Sequence, residues 1–446
     1  MIQQLADYVL LLSCLFILLG SIVITVKTRF IQLNVFKALF ELLKKQFQGG
    51  SQEESKEFIS PNKALFTAMS TTLGISTIVG PIIAIQLGGP GALLCFLLTS
   101  FFGSAATYAE VNLSLKYRKK LPDGTVMGGP MQYIAQLLSP AAAKWYAFCC
   151  LLLMVTWSGA QANQLAAILD SSLLQNFRVA PIISGSVIAC LILVLLLGGI
   201  KRIGTFSAKL VPLMFTLYIG GNLWIFCSSF DRLGPIFQQM FDSFFSPMSM
   251  ASGVLVGGIT STLRWGIFKG TQACEAGIGT QAIPHAMADT QDPAAQGTLA
   301  MLSTFMAGIL AFLSGCVALI TETWQNETIP LGINMVAASF HQYFSTFGVL
   351  IVVVSAFLFG FGTILGNSYN GGQCYNYLTN NRWRGTYLGA ATLMVFVGAL
   401  AEVKMFWSLM DLVLAAMSVP HMAALLRAHF SKTVATETAS ATVHGQ

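Results

Sequence analysis

Cys274-Glu275-Ala276-Gly277-Ile278-Gly279-Thr280-Gln281-Ala282-Ile283-Pro284 sets a carboxylate, two glycines and a proline inside an otherwise apolar stretch, 252–288. That stretch is too long for one straight membrane crossing, which takes roughly 20 residues. Glycine weakens a helix interior by about 1 kcal/mol relative to alanine, so the stretch is expected to be an interrupted span. A carboxylate at mid-membrane depth costs about 3 kcal/mol on insertion scales and is functional by default. Glu275 is therefore expected either to touch a ligand or to stabilise the broken helix from behind.

A second stretch of the same kind lies upstream. Thr71-Thr72-Leu73-Gly74-Ile75-Ser76-Thr77-Ile78-Val79-Gly80-Pro81 occupies the middle of an apolar segment that Gly88-Gly89-Pro90-Gly91 closes. Freed N–H groups at a half-helix start can hold a carboxylate, and freed carbonyls can hold an ammonium or a cation. Glycine and proline also serve close packing in membrane helices, which would explain either stretch alone. Two such stretches, five spans apart and each rich in small hydroxyl residues, point instead to a binding site between broken helices. Its candidate residues are Thr72, Gly74, Ser76 and Thr77 in the first stretch and Glu275, Gly277, Gly279 and Thr280 in the second.

Composition agrees. Hydrophobic residues make up 55% and charged residues 9% of the 446 positions, and mean hydropathy is +0.69, whereas a soluble domain carries about a quarter charged residues. Eleven spans are read near 8–27, 64–87, 91–114, 145–169, 181–198, 209–228, 252–288, 298–320, 346–366, 386–402 and 406–427. Helices are expected throughout, because unpaired backbone is not tolerated in lipid and no short alternating strands of a membrane barrel are evident. With alternating spans, Lys27, Arg29, Lys116, Arg118, Lys119, Lys120, Lys201, Arg202, Arg382, Arg384, Arg427 and Lys432 fall on one side. Arg178, Arg232 and Lys404 fall on the other. The bias places the N-terminus outside and the C-terminus in the cytoplasm.

The chain then divides into an extra N-terminal helix (1–30), a cytoplasmic loop with an interfacial helix (31–61), a first five-helix half (62–228), an external loop (229–249), a second half (250–428) and a cytoplasmic tail (429–446) expected to be disordered. Two halves of five spans each have opposite orientation, because five is odd.

Several function classes drop out. There is no Gly-x-x-x-x-Gly-Lys-Ser/Thr loop for primary transport, and no His-Glu-x-x-His or Gly-x-Ser-x-Gly for an intramembrane enzyme. The nine cysteines sit in or beside apolar runs and read as small buried hydrophobes. The net charge of +6 follows from orientation, and no nucleic-acid partner is expected. Among other polar residues, Glu110 lies near the basic Lys116–Lys120 end and is expected to be structural, in an ion pair there or in helix packing. Gln161 and Asn163 cannot share one helix face, so one is expected at the site and the other on a neighbouring helix. His285 is expected to be a structural hydrogen-bonding residue. No enzymatic activity and no organic cofactor are expected.

The residues also resemble the alanine or glycine:cation symporters, within the larger amino acid, polyamine and organocation superfamily. The similarity runs through 64–80, Gly88-Gly89-Pro90-Gly91-Ala92, Tyr108-Ala109-Glu110, Gly128-Gly129-Pro130-Met131, Gln161 and Asn163, Gly198 to Ile203, Glu275-Ala276-Gly277-Ile278-Gly279 with His285-Ala286, and Met417-Ser418-Val419-Pro420. The resemblance implies an all-α, leucine-transporter-type fold: a 5+5 inverted repeat plus the N-terminal helix. It implies sodium-coupled, or in some members proton-coupled, uptake of alanine, glycine or a similarly small amino acid across the plasma membrane. It further implies a sodium ion held by carbonyls near Thr72 and Leu73 and by the Thr363 hydroxyl, and a gate role for Lys269, where the family has arginine.

The chain departs from the family at Thr77 and Cys274, each in place of asparagine, at Asn367 in place of tryptophan, at Gly362 in place of a hydroxyl residue, and at His421 in place of asparagine. The departures leave open a non-transporting sensor, or a carrier of a larger polar amino acid coupled to protons. Asn367 is expected to line the pocket and enlarge it, and the missing hydroxyl to weaken sodium binding.

Overall fold

The computed structural model describes residues 2–47, 58–120, 126–171, 174, 178–245, 259–380, 384–401 and 403–430. Residues 48–57, Arg382, Lys432 and the tail lie outside them. So does 252–258, the start of the seventh expected span.

The chain opens with α1 (Ile2–Lys27) and α2 (Val35–Phe47), a helix over the stretch where one was expected. The latter buries Val35 and Ala38 and leaves Phe36 and Phe40 outward. Next come α3 (Pro61–Thr72) and α4 (Ile75–Gly88), the two parts of the second expected span. Ser60 accepts from the Lys63 amide and Pro61 occupies the first turn, so α3 has a firm start. The interruption falls at Leu73 and Gly74 alone. Pro81 sits inside α4 without breaking it, so that part of the expected interruption is corrected. One missing donor within a long, fully packed helix is tolerated in a membrane bundle.

Then follow α5 (Ala92–Lys116), a two-residue hairpin of β1 (Lys119–Lys120) and β2 (Val126–Met127), α6 (Pro130–Leu137), α7 (Pro140–Leu169), α8 (Pro181–Leu196) and α9 (Gly199–Ser228). The segment 229–249, expected to be a loop, contains a helix the sequence reading omitted, α10 (Phe230–Phe245). Its apolar residues recur on one face, with Ile236 and Met240 buried and Phe230, Phe237 and Phe241 outward.

The second interrupted segment consists of α11 (Ile259–Cys274), seven non-helical residues, and the single turn α12 (Ala282–His285). Three of its residues have left-handed backbone: Glu275 (φ 48°), Gly277 (φ 69°) and Gly279 (φ 92°). Asp292 caps α13 (Pro293–Thr321) by accepting from the amides of Ala294 and Ala295. Next is α14 (Ile333–Thr379), much longer than the expected 346–366 and bent at Ser345 (φ 52°). No proline stops it, and its glycines at 360, 362, 366, 371 and 372 are used for packing. The last two helices are α15 (Arg384–Leu400) and α16 (Val403–Phe430).

Among the described residues eight helices are long and apolar enough to cross a membrane, counting α3 with α4 as one, and α8 and α15 are shorter apolar helices. Helices in corresponding places of the two expected halves pack on each other: α4 on α11, α5 on α13, α7 on α14 and α8 on α15. The interrupted segments are tied at both ends. Ser261 and Thr262 hydroxyls donate to the Leu87 and Gly88 carbonyls at 2.8 and 2.5 Å. At the other end the Ile59 amide donates to Met287, and its carbonyl accepts from Asp289. Arg118 donates to the carbonyls of Ala288 and Thr290 beside that junction.

Candidate functional site

The first break leaves the start of α4 short of acceptors for its amides. Gln161 on α7 supplies one, its Oε1 accepting from the Ile75 N–H at 2.9 Å. The Thr77 hydroxyl lies 2.9 Å from the Thr72 carbonyl and 3.3 Å from the Ala273 carbonyl, so one side chain touches the loose ends of both broken helices. Below the break the Thr363 hydroxyl of α14 donates to the Ser70 carbonyl at 3.0 Å. Ser207 of α9 donates to the Ser70 hydroxyl at 3.1 Å. The carbonyl that Thr363 reaches is thus that of Ser70, not those of Thr72 or Leu73. Gly74 fits because an added Cβ would lie 2.8 Å from the Thr363 hydroxyl.

Above the break a small cavity of about 60 Å³ lies between α4, α7, α11 and α16. Ile75, Val79, Ile83, Trp157 and Met410 give it apolar walls, and Ser76, Gln161, Gln164, Lys269 and Gln272 give it polar ones. Lys269 is 6% exposed, and its ammonium donates to Gln272 Oε1 at 3.1 Å. Gln272 in turn donates to Asp411 of α16 at 2.9 Å, the acidic partner that the sequence alone did not name.

The second break is enclosed. The Thr280 hydroxyl donates to the Glu275 carboxylate. The Gly277, Ile278 and Thr280 carbonyls accept from His421, Tyr146 and Asn370 respectively. Of the two structural roles expected for Glu110, an ion pair with Lys116–Lys120 is not the one found. Glu110 is fully buried on α5, with its Oε2 3.7 Å from His421 Nε2, because the helix turns that residue inward, away from the basic end. Gly279 is tightly held: a Cβ would lie 2.5 Å from the Tyr146 hydroxyl and 2.8 Å from His421 Nε2.

The expected site residues therefore fall into three groups. Ser76, Gln161 and Lys269 face the cavity. Thr72, Leu73, Gly74, Thr77 and Thr363 surround the first break. Glu275, Gly277, Gly279, Thr280 and Glu110 form the enclosed hub. Asn367 belongs to none of them: it is fully buried on α14, does not line the cavity, and neither end of its amide is hydrogen-bonded. Of Gln161 and Asn163, the first faces the break and the second donates to the Gly398 and Ala401 carbonyls next to α15. His285 is hydrogen-bonded to Gln296 at 2.7 Å. Gln164, Gln272, Trp157 and Tyr133 carried no motif that would have found them.

Solved structures share this architecture. A Na+-coupled sialic acid symporter in a substrate-bound outward-open state aligns with a TM-score of 0.51 at 16% identity, covering 91% of this chain and 81% of that one. A manganese transporter of Eremococcus coleocola aligns with a TM-score of 0.52 at 12% identity, covering 82% and 78%. At such identities the likeness speaks for the fold alone. A bundle of apolar helices with two interrupted members packed side by side is that of a multi-pass membrane transporter.

The sequence narrows the class. The profile of the sodium:alanine symporter family matches residues 1–440, and the chain belongs to that family. The sodium/alanine symporter AgcS of Methanococcus maripaludis is 33% identical over 92% of this chain and 90% of its own length. The probable sodium/glutamine symporter GlnT of Bacillus subtilis is 26% identical over 91% and 84%. Membership makes the protein a cation-coupled amino-acid symporter by class, and it favours neither a non-transporting sensor nor a proton-coupled carrier of larger polar amino acids.

Proposed function

We propose that the protein carries alanine, or an amino acid of that size, inward across the plasma membrane together with one sodium ion. The observation that carries this is the size and lining of the cavity above the first break. A cavity needs roughly 10–15 Å³ to admit one water, so about 60 Å³ admits only a few, which suits an amino acid with a short side chain. The positive N-terminal end of α4, at Ser76 beside the capped Ile75 amide, suits a carboxylate. The carbonyls at the ends of α3 and α11 suit the ammonium group. The apolar walls at Val79, Trp157 and Met410 suit a short aliphatic side chain. Lys269, coupled through Gln272 to Asp411, closes the far side of the cavity as a gate.

Sodium is a hard cation that needs several oxygens in place of its water. The Ser70 carbonyl and the hydroxyls of Thr363, Ser70 and Ser207 converge below the break and fit that need. The helix pairs α5 with α13, α7 with α14 and α8 with α15 support the inverted-repeat layout, with α1 as the extra helix. With the interrupted segment 259–285 counted beside the eight long and two shorter helices, the span total is eleven, the N-terminus lying outside and the C-terminus inside. Alternating access then moves the tied pair of interrupted helices against the rest.

Uptake of labelled alanine, glycine, serine and glutamine into proteoliposomes, with and without a sodium gradient, tests the proposal. Alanine or glycine uptake driven by sodium is expected, with glutamine poorly taken. Uptake indifferent to replacing sodium by a bulky organic cation would overturn the sodium assignment, and a preference for glutamine would overturn the size assignment.

A further inference from the structure

We propose that the enclosed hub behind the second break is a proton-binding site, centred on Glu110 and His421, whose occupancy changes when the amino acid binds. The proposal rests on the amino-acid transport proposed above and adds a second, protonic linkage to it.

Glu110 is fully buried, no side chain donates to either of its carboxyl oxygens, and the backbone amide beside it is that of Gly279. The Gly277 carbonyl can only accept, so the His421 Nδ1 lying 2.8 Å from it carries a hydrogen. That fixes the other nitrogen as the variable one. Neutral His421 accepts at Nε2 from the Tyr133 hydroxyl, 2.6 Å away. With one more proton, Nε2 becomes a donor, and the nearest anion is the Glu110 carboxylate at 3.7 Å. The same proton can instead sit on Glu110, with the Tyr133 hydroxyl donating to Nε2 rather than accepting from it. Two groups thus share one proton between two positions, and they titrate as a unit.

Charge requires that proton. Glu110 and Glu275 are both buried in the hub, one beside His421 and the other bonded by Thr280. The other titratable groups packed around it are Tyr133 of α6, Tyr146 and Cys150 of α7, Cys274 at the end of α11, Cys374 of α14 and His421 of α16. Every one of these is neutral or acidic in its ordinary form except the histidine. Among the described residues no lysine or arginine pairs with either carboxylate. Two bare carboxylates in such a place cost far more than retaining a proton. The step is a simple exchange with water: an O–H or N–H bond forms on binding and breaks on release, with nothing oxidised or reduced.

The linkage to the amino acid runs through the backbone. His421, Tyr146 and Asn370 all hold carbonyls of the non-helical stretch between α11 and α12. Thr77 contacts the Ala273 carbonyl just before it. A ligand that draws on the freed groups on the cavity side shifts the same stretch, and so changes the approach of His421 to Glu110.

Infrared difference spectra and a pH-indicator dye on the purified full-length protein test this. Between about pH 5 and pH 9, the wild type is expected to show a protonated-carboxyl stretching band that Glu110→Gln removes and that added alanine shifts. Alanine added in weak buffer should release or take up a fraction of a proton per protein, and His421→Asn should move the pH at which this exchange is largest. His421→Asn also serves if Glu110→Gln does not fold. The absence of any band sensitive to position 110 overturns the proton site. Alanine binding, detected by its heat, without a change in band or proton count overturns the linkage. If no amino acid binds, the transport proposal fails, and the band still decides whether the hub holds a proton.

Discussion

The two interruptions solve the same problem by different means. The first spends two residues, keeps ordinary backbone angles at Gly74 (φ −101°), and satisfies its exposed amide with a side chain from another helix. The second spends seven residues, three of them left-handed, and satisfies its carbonyls with a histidine, a tyrosine and an asparagine from three different helices. A short break stays near the cavity and leaves groups free for a ligand. A long break can be fully enclosed on its far side, so that movement there is transmitted to buried side chains.

The largest expected effect on stability separates the two by their glycines. Gly279→Ala forces a left-handed alanine, about 1–2 kcal/mol, into contact with Tyr146, Pro130 and His421 at 2.5–2.8 Å. Overpacking adds about 1–3 kcal/mol. Gly74→Ala meets Thr363 and Gln161 at 2.8 and 3.0 Å without the backbone strain, so only the overpacking cost applies. Thermal unfolding in detergent should rank Gly279→Ala well below Gly74→Ala, with alanine uptake lost in the former. The reverse ranking would mean that the long break relaxes and the short one is rigid.

Next in size is Gln161→Ala, which leaves the Ile75 amide buried and unpaired at a cost of about 1–3 kcal/mol. Gln161→Glu keeps an acceptor and should recover most of the stability. Alanine uptake should fall roughly tenfold or more in Gln161→Ala, as 1.4 kcal/mol is a factor of ten. If both variants unfold alike, the cap is not what holds the first break.

Thr363→Ala removes a hydroxyl from the Ser70 carbonyl, worth about 1 kcal/mol. The sodium concentration for half-maximal uptake should rise roughly fivefold at that energy, with little loss of folding. An unchanged sodium requirement would place the ion elsewhere.

How much of this was legible follows from what each feature needs. The spans and both interruptions were legible because apolar length and Gly-rich runs are local properties. The extent of the first break was misjudged because Pro81 breaks soluble helices more readily than packed membrane ones. The bend at Ser345 has no proline to announce it, only Gly348 packed on the Phe340 carbonyl, and α10 was hidden in a loop whose apolar residues are too few for a span. The hub was out of reach for another reason. Glu110, Tyr133 and His421 are brought together across 311 positions of chain, and no motif spacing encodes that. The Gln161 cap of Ile75 bridges 86 positions and was legible only as a polar residue in a membrane segment.

The smallest stability effect, and the one that sharpens the comparison most, concerns Asn367. Thr363, Asn367 and Asn370 stand four and three residues apart on α14, so they share one helix face. Thr363 bonds the end of the first broken helix at Ser70, and Asn370 bonds the second break at Thr280. Asn367 lies between them, fully buried, with both ends of its amide unpaired. An unpaired buried amide carries a desolvation cost that nothing offsets, so an apolar replacement of similar shape is about neutral or stabilising. Asn367→Leu should therefore unfold within about 1 kcal/mol of the wild type, or later. A polar group kept at such a place is expected to serve a ligand in another state of the cycle, so the alanine concentration for half-maximal uptake should rise. Asn367→Trp, which overpacks the same spot, should lose stability as well. If Asn367→Leu leaves uptake unchanged, α14 serves the two breaks through Thr363 and Asn370 only, and position 367 has no part in the cycle.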